Sequence, residues 1–331
     1  MLCCHSGGGS CEGPCIICFD SDPRPIQSGC ACRGDAGLAH VDCRAEDAAH
    51  RMKNRGDVVG WRKCGTCGQW FTGAMKLGLA CAWWSAAERL PEEDDQRLRA
   101  AENMANALNS QGKFTEAQTL YREMLEVLQR VLGPEHPNTL KTASNLALSD
   151  SLDDQGKRGE TEITFREVLV VQRWVLGPEH QNTLKTASNL ARSLSNQGKC
   201  AEANTMCREV LAGLQRVLGP EHPSTLAAAS NMCYVLNQQG KHGEAEITFR
   251  EVLVVQRRVL GPEHPHTLMT AANLANALDC QGKHAEAEKL YHEVIVVQRR
   301  VVGAEHRNTL WTAEKLEACV RFTRAARGSA K

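Results

Sequence analysis

The chain has 331 residues, enough for about two domains, and its 39 Lys/Arg balance its 39 Asp/Glu. The first 90 residues hold 10 basic against 9 acidic side chains, so no basic face points to nucleic acid. No apolar run nears the roughly 18 residues of a membrane helix, and the opening MLCCHSGGGS has neither the charged nor the apolar region of a secretion signal; the expectation is a cytoplasmic protein without a transmembrane segment.

Residues 1–12 contain Cys3, Cys4, His5 and Cys11 around SGGGS, a glycine-rich setting with no turn to hold a metal, and read as a disordered tail. Eight of the 16 cysteines lie between Cys11 and Cys67. Such clustering inside a cell holds metal more often than it forms disulfides. Residues 13–72 supply four pairs of ligands: Cys15 and Cys18, Cys30 and Cys32, His40 and Cys43, Cys64 and Cys67. A CxxC loop brings two thiolates to one ion at about 2.3 Å, and a tetrahedral zinc takes two such pairs. Eight ligands therefore imply two zinc ions, which replace a core that so short a segment can barely build. Sites closed by four protein ligands leave no position for water, so neither ion can run hydrolysis.

Residues 73–92 form a linker segment in which Ala74–Leu90 reads as a helix carrying Trp83 and Trp84, placed to cover the apolar face of the first helical hairpin beyond it. Pro91 then opens an acidic first turn, EEDD.

Residues 93–303 are repetitive. QGK recurs ending at Lys113, Lys157, Lys199, Lys241 and Lys283, with spacings of 44, 42, 42 and 42, and GPEH starts at Gly133, Gly177, Gly219 and Gly261, returning as GAEH at Gly303. Ala271, Leu274, Ala275 and Leu278 mark one face of a first helix, and Ala287, Leu290, Tyr291, Val294 and Ile295 one face of a second. Each of five units is a helical hairpin, with Gly282 and its equivalents ending the first helix. The second unit carries two extra residues between Asn145 and Gln155, expected to loop out or shift register. Residues 304–327 hold one further helix, about Thr309–Arg327, which caps the array. The fold class is mainly α: a small two-zinc finger followed by an α-solenoid of helical hairpins.

The five loop histidines, His136, His180, His222, His264 and His306, recur once per unit, and stacked units set equivalent atoms roughly 10 Å apart, too far for one ion. They read as loop staples. Cys200, Cys207, Cys233, Cys280 and Cys319 fall inside helical patterns and read as small buried apolar residues. No catalytic Ser, His and acid constellation and no phosphate loop stand out.

AEAEKLY at Ala285–Tyr291, GEAEITF at Gly243–Phe249 and TEAQTLY at Thr115–Tyr121 resemble the tetratricopeptide pattern, and the 42-residue unit with NLA before its turn resembles the kinesin light chain type. That resemblance implies that first helices line a groove for a peptide, with Asn103, Asn145, Asn189, Asn231 and Asn273 as a ladder along it. An amide donates and accepts at once, which suits a peptide backbone; the alternative is that these residues brace neighbouring helices. The order of seven cysteines with His40 in fifth place resembles the RING-CH finger of ubiquitin ligases. PHD fingers share that order, but the seven residues between Cys32 and His40 fit RING-CH, and the PHD tryptophan is replaced by Arg62. The RING-CH cross-brace implies Cys15, Cys18, His40 and Cys43 on one ion and Cys30, Cys32, Cys64 and Cys67 on the other; the sequence by itself leaves the pairing open. It also implies that Ile17 contacts a ubiquitin-conjugating enzyme. The family's usual tryptophan is Asp47 here, and its usual basic residue after the eighth ligand is Gly68. These features imply one of two functions: an E3 ubiquitin ligase whose groove selects substrate, or a non-enzymatic adaptor with two docking modules.

Overall fold

The computed structural model describes residues 14–27, 38–153 and 158–328. Cys30, Cys32 and the tail lie outside the described residues. Two compact units result: Met1–Val131 with Arg300–Gly303, and Leu132–Arg299 with Ala304–Lys331. Among the described residues no helix is long and apolar enough to cross a membrane.

The first unit opens with a two-stranded antiparallel sheet, β1 (Ile26–Gln27) and β2 (Leu38–Ala39), Ile26 opposite Ala39. Then come α1 (Val41–Arg55), a tight turn at Val59–Trp61, α2 (Gly73–Ala87), α3 (Asp95–Ser110) and α4 (Phe114–Leu132). The sequence of α2, GAMKLGLACAWWSAA, is apolar nearly all round, which requires cover on more than one side. It gets that cover. One side meets α3, as expected, and the other stacks Trp83 on Trp61 with ring centroids 5.6 Å apart and planes 12° from parallel. Cys15, Cys64, Phe71, Met75, Leu79 and Ala100 share this core. The N-terminal segment, α2 and the first hairpin thus belong to one compact unit. The start of α3 also differs from expectation. Asp94 caps it by accepting from the backbone N–H of Gln96 and Arg97, so the helix begins four residues after Pro91.

The second unit contains α5 (Pro137–Asp153), α6 (Arg158–Val175), α7 (Gln181–Asn196), α8 (Cys200–Leu218), α9 (Pro223–Gln238), α10 (His242–Val259), α11 (Pro265–Cys280), α12 (His284–Val301) and α13 (Arg307–Gly328). Ala271, Ala275, Leu278, Ala287, Tyr291, Val294 and Ile295 are all buried where α11 and α12 pack. In the second repeat α5 stays one helix through Asp153, and the turn after it, 154–157, lies outside the described residues. First helices touch one another along the row (α5 with α7, α7 with α9, α9 with α11, α11 with α13), which makes them the closer-packed, inner row.

Both sequence repeats have a mechanical role. In GPEH the glycine takes a conformation that side chains disfavour, φ 86° and ψ 164° at Gly219. The histidine is the N-cap of the next helix: the Nδ1 atoms of His136, His180, His222, His264 and His306 accept backbone N–H groups at 3.1 to 3.2 Å. The staple reading of these histidines thereby takes a specific form. Such a cap works only while the ring is neutral, and burial, followed by the neighbouring His266, holds His264 down at about 3.

In QGK the lysine and glutamine clamp successive units. Lys283 Nζ and Gln281 Nε2 each meet Glu246 Oε2 at 2.7 Å, while Arg250 joins Glu246 at 3.0 Å to Glu286 at 2.7 Å. Lys199, Arg166, Glu162 and Glu202 repeat the arrangement at 2.7 to 3.0 Å. The Lys283 and Lys199 hydrogen bonds foremost hold Glu246 and Glu162 below the usual carboxylate range. At the intervening unit the glutamate is Asn204, whose buried Oδ1 has no partner among the described residues.

Candidate metal centre and peptide face

The chain around Cys15 and the chain around Cys64 fold alike. Cys15 N–H donates to Asp20 O at 2.8 Å and Phe19 N–H to Cys15 O at 2.9 Å; Cys64 N–H donates to Gln69 O at 2.8 Å and Gly68 N–H to Cys64 O at 2.9 Å. In both knuckles the residue after the second cysteine is left-handed, φ 61° at Phe19 and 69° at Gly68. Glycine is the residue that takes this conformation without strain, which gives a local reason for Gly68 where the RING-CH pattern has a basic side chain.

The structure brings Cys15, Cys18, His40 and Cys43 together, one ligand atom from each lying within 4.8 Å of the others. Strand β2 delivers His40 and the first turn of α1 delivers Cys43. His40 Nδ1 stands 3.3 Å from Cys18 Sγ and 3.6 Å from Cys43 Sγ. His40 Nε2 donates to the Pro23 carbonyl, which leaves Nδ1 with its lone pair facing the thiols. The backbone N–H groups of Ile17 and His40 both point at Cys15 Sγ, at 3.5 Å. Burial pushes Cys15 up, but backbone donors, that of Cys18 foremost and then those of His40 and Ile17, together with the Cys18 side chain, outweigh it and bring the thiol down to about 6. Burial, then the Cys18 and Cys15 thiols, push Cys43 up to about 12. One thiolate is thus favoured and further ones repel it, a balance that a bound cation reverses. Three sulfurs and one imidazole nitrogen fit a tetrahedral ion of the zinc class. Cys64 and Cys67 form the second knuckle alone, since Cys30 and Cys32 lie outside the described residues.

Ile17 is 36% exposed beside the first knuckle, and Phe19 is more exposed still. Asp47 lies on α1, ion-paired with Arg51 at 2.9 Å.

On the repeats, the asparagines divide. Asn145 is 3% exposed; its Oδ1 accepts from Lys185 Nζ at 3.1 Å, yet its Nδ2 has no partner among the described residues. Asn189 Nδ2 is likewise buried and unpartnered, and so, in the first unit, is Asn103 Nδ2. Asn231 Nδ2 donates to Ser188 Oγ at 3.1 Å and so braces two helices. Asn273 is half-buried on α11. Sequence reasoning missed the Glu246 and Glu162 clamps, although a glutamate, an arginine four residues on and a lysine in the next QGK recur as a set.

Two family models described as tetratricopeptide repeat match the chain, one over residues 96–155 and 224–295 and the other over 183–224. Comparison with curated proteins finds no match. Among solved structures, the nearly identical TPR-like repeats of a Podosopora anserina kinesin light chain share 28% identity, covering 62% of this chain and 95% of that one with a TM-score of 0.47. NprR in complex with its cognate peptide NprX matches at 14% identity and a TM-score of 0.57, covering 88% of this chain and 74% of that one. Bacillus thuringiensis PlcR, in complex with the peptide PapR7 and DNA, matches at 11% identity and 0.55, covering 84% and 98%. At such identities the last two likenesses show the fold.

Proposed function

Residues 96–155 and 183–295 of this chain are tetratricopeptide repeats, and from that premise we propose that the array is a protein-interaction scaffold that takes a peptide along its inner row of helices. The observation that carries the reading is the pair of unspent amide donors on Asn145 and Asn189. A buried donor left unpaired costs about 1–3 kcal/mol, and a peptide carbonyl would recover it. NprR and PlcR, which share the fold, hold peptides in their structures.

The test uses peptides selected from a random displayed library against the full chain. Asn189→Ala should weaken a selected peptide severalfold while leaving the melting temperature nearly unchanged, and adding Asn145→Ala should bring the loss to about tenfold or more, with a lowering of the melting temperature no larger than the Lys185 bond to Asn145 Oδ1 accounts for. Asn231→Ala should instead lower stability, because its amide is spent on Ser188. Unchanged binding in the double variant would defeat the reading.

The finger, in the same proposal, is a two-zinc RING-CH module, with Cys15, Cys18, His40 and Cys43 on one ion and Cys30, Cys32, Cys64 and Cys67 on the other. Exposed Ile17 supports the reading that it recruits a ubiquitin-conjugating enzyme and makes the chain an E3 ligase. Asp47, engaged with Arg51 in place of an apolar contact, favours the second reading of a non-enzymatic adaptor. Ubiquitin discharge from charged conjugating enzymes, lost in Ile17→Ala, separates the two; no discharge by the wild type leaves the adaptor.

A further inference from the structure

The last hairpin holds a side-chain cluster that no part of the peptide or finger reading uses. Asp279 ends α11, His284 begins α12 and Cys319 lies in the middle of α13, and one ligand atom of each lies within 4.8 Å of the other two. Asp279 Oδ1 meets His284 Nδ1 at 2.7 Å. The Cys319 thiol is fully buried and donates to the His284 carbonyl at 3.4 Å. The Phe322 ring stacks on the His284 ring, centroids 5.8 Å apart and planes 11° from parallel.

The repeat supplies its own control. One unit earlier the same three places hold Asn237, His242 and Ala277, and His242 Nδ1 meets Asn237 Oδ1 at the same 2.7 Å. Two units earlier they hold Ser195, Cys200 and Val235. The turn therefore needs neither the charge of Asp279 nor the sulfur of Cys319 to form. Only the last hairpin combines a carboxylate, an imidazole and a thiol on it.

We propose that Asp279, His284 and Cys319 form a binding site for a divalent cation of the zinc class, outside the finger and independent of it. Donor atoms around a tetrahedral zinc with bonds of about 2.0–2.3 Å stand roughly 3.3–3.8 Å apart, so these three need shift little to surround an ion. Sulfur and imidazole nitrogen select a borderline metal over calcium or magnesium, which take oxygen. On binding, Cys319 releases its proton to solvent and the proton between His284 Nδ1 and Asp279 is also given up to solvent, the neutral imidazole keeping its one N–H at Nε2; the freed Nδ1 lone pair and the Asp279 carboxylate then turn onto the ion, and water fills the fourth position. The ion ties α11, α12 and α13 together.

The full chain and its Asp279→Asn, Cys319→Ala double variant are compared after equilibration with zinc and removal of the excess. The variant reproduces the Asn, His and Ala arrangement that the preceding hairpin already folds around, and Asp279→Asn alone serves as a milder second variant. The wild type should carry one zinc more per chain than the double variant, and zinc should raise the midpoint of helix unfolding only in the wild type. Cobalt(II) in place of zinc should give a thiolate-to-metal absorption, part of which survives Cys15→Ala, Cys43→Ala, Cys64→Ala and Cys67→Ala made together and is then abolished by adding Cys319→Ala. Equal zinc content in the wild type and the double variant overturns the site, whatever the finger itself binds.

Discussion

Stripping metal from the purified chain with a strong chelator is expected to unfold more than the finger. A structural zinc contributes about 10–16 kcal/mol of apparent binding energy, larger than the whole stability of a typical domain. Trp61 belongs to the finger, yet it is the surface on which Trp83 of α2 rests, and α2 in turn covers α3. Loss of the ions should therefore expose Trp61 and Trp83 and loosen the first hairpin. Protease cleavage should spread through residues 14–131, with a red shift in tryptophan emission. Helices from α5 onward belong to the other compact unit and should persist. A chelated chain that remains protease-resistant up to Val131 would mean that the ions, or the shared core, have been misjudged.

Apart from the metal ligands, Trp83→Ala should be the most damaging single substitution in the first unit. Trp83 is 1% exposed and Trp61 3%. Truncating a buried tryptophan costs about 3–5 kcal/mol, and losing the stacked partner adds about 0.5–1.5 kcal/mol. Trp84, one position on, is only half-buried, so Trp84→Ala should cost much less and serves as the control. In denaturant, Trp83→Ala should bring forward the transition of the first unit and leave that of the second in place. Equal effects of the two substitutions would show that the stack does not hold the unit together.

These two expectations rest on a feature that was half legible in the sequence. The apolar circumference of GAMKLGLACAWWSAA says that α2 must be covered on several sides, but composition does not name the partners. That Trp61, 22 positions upstream of Trp83, supplies one of them is tertiary information. The repeats were easier to read because the same physics is written five times: glycine at each turn, small residues at each crossing, one Leu or Tyr beside them. Even so, the GPEH histidines read only as staples, because an imidazole serving as an N-cap is not among the usual capping residues. The spacing of the finger's pairs marked ligands, while the common knuckle at Cys15 and Cys64 depends on backbone bonds and left-handed residues that spacing does not display. The asparagine ladder was visible as a column, but which amides are spent was not, since Ser188 and Lys185, which meet Asn231 and Asn145, come from neighbouring units. Asp279, His284 and Cys319 escaped a linear reading for a related reason. Cys319 sits 35 residues beyond His284 and is brought back by the capping helix. Setting the repeats in register, so that Asn237, His242 and Ala277 stand beside them, is the signal that finds them.

Whether the inner row of first helices receives a peptide is measured most directly by photo-crosslinking. A photoreactive residue is placed at Asn273 on α11 in one preparation of the full chain and at Val254, an exposed position on the second helix α10, in another. Each is irradiated with a selected peptide. A peptide seated on the inner row should give adducts at position 273 that unlabelled peptide competes away, and few at 254. Adducts confined to 254, or equal at both positions and indifferent to competitor, would contradict binding along that row.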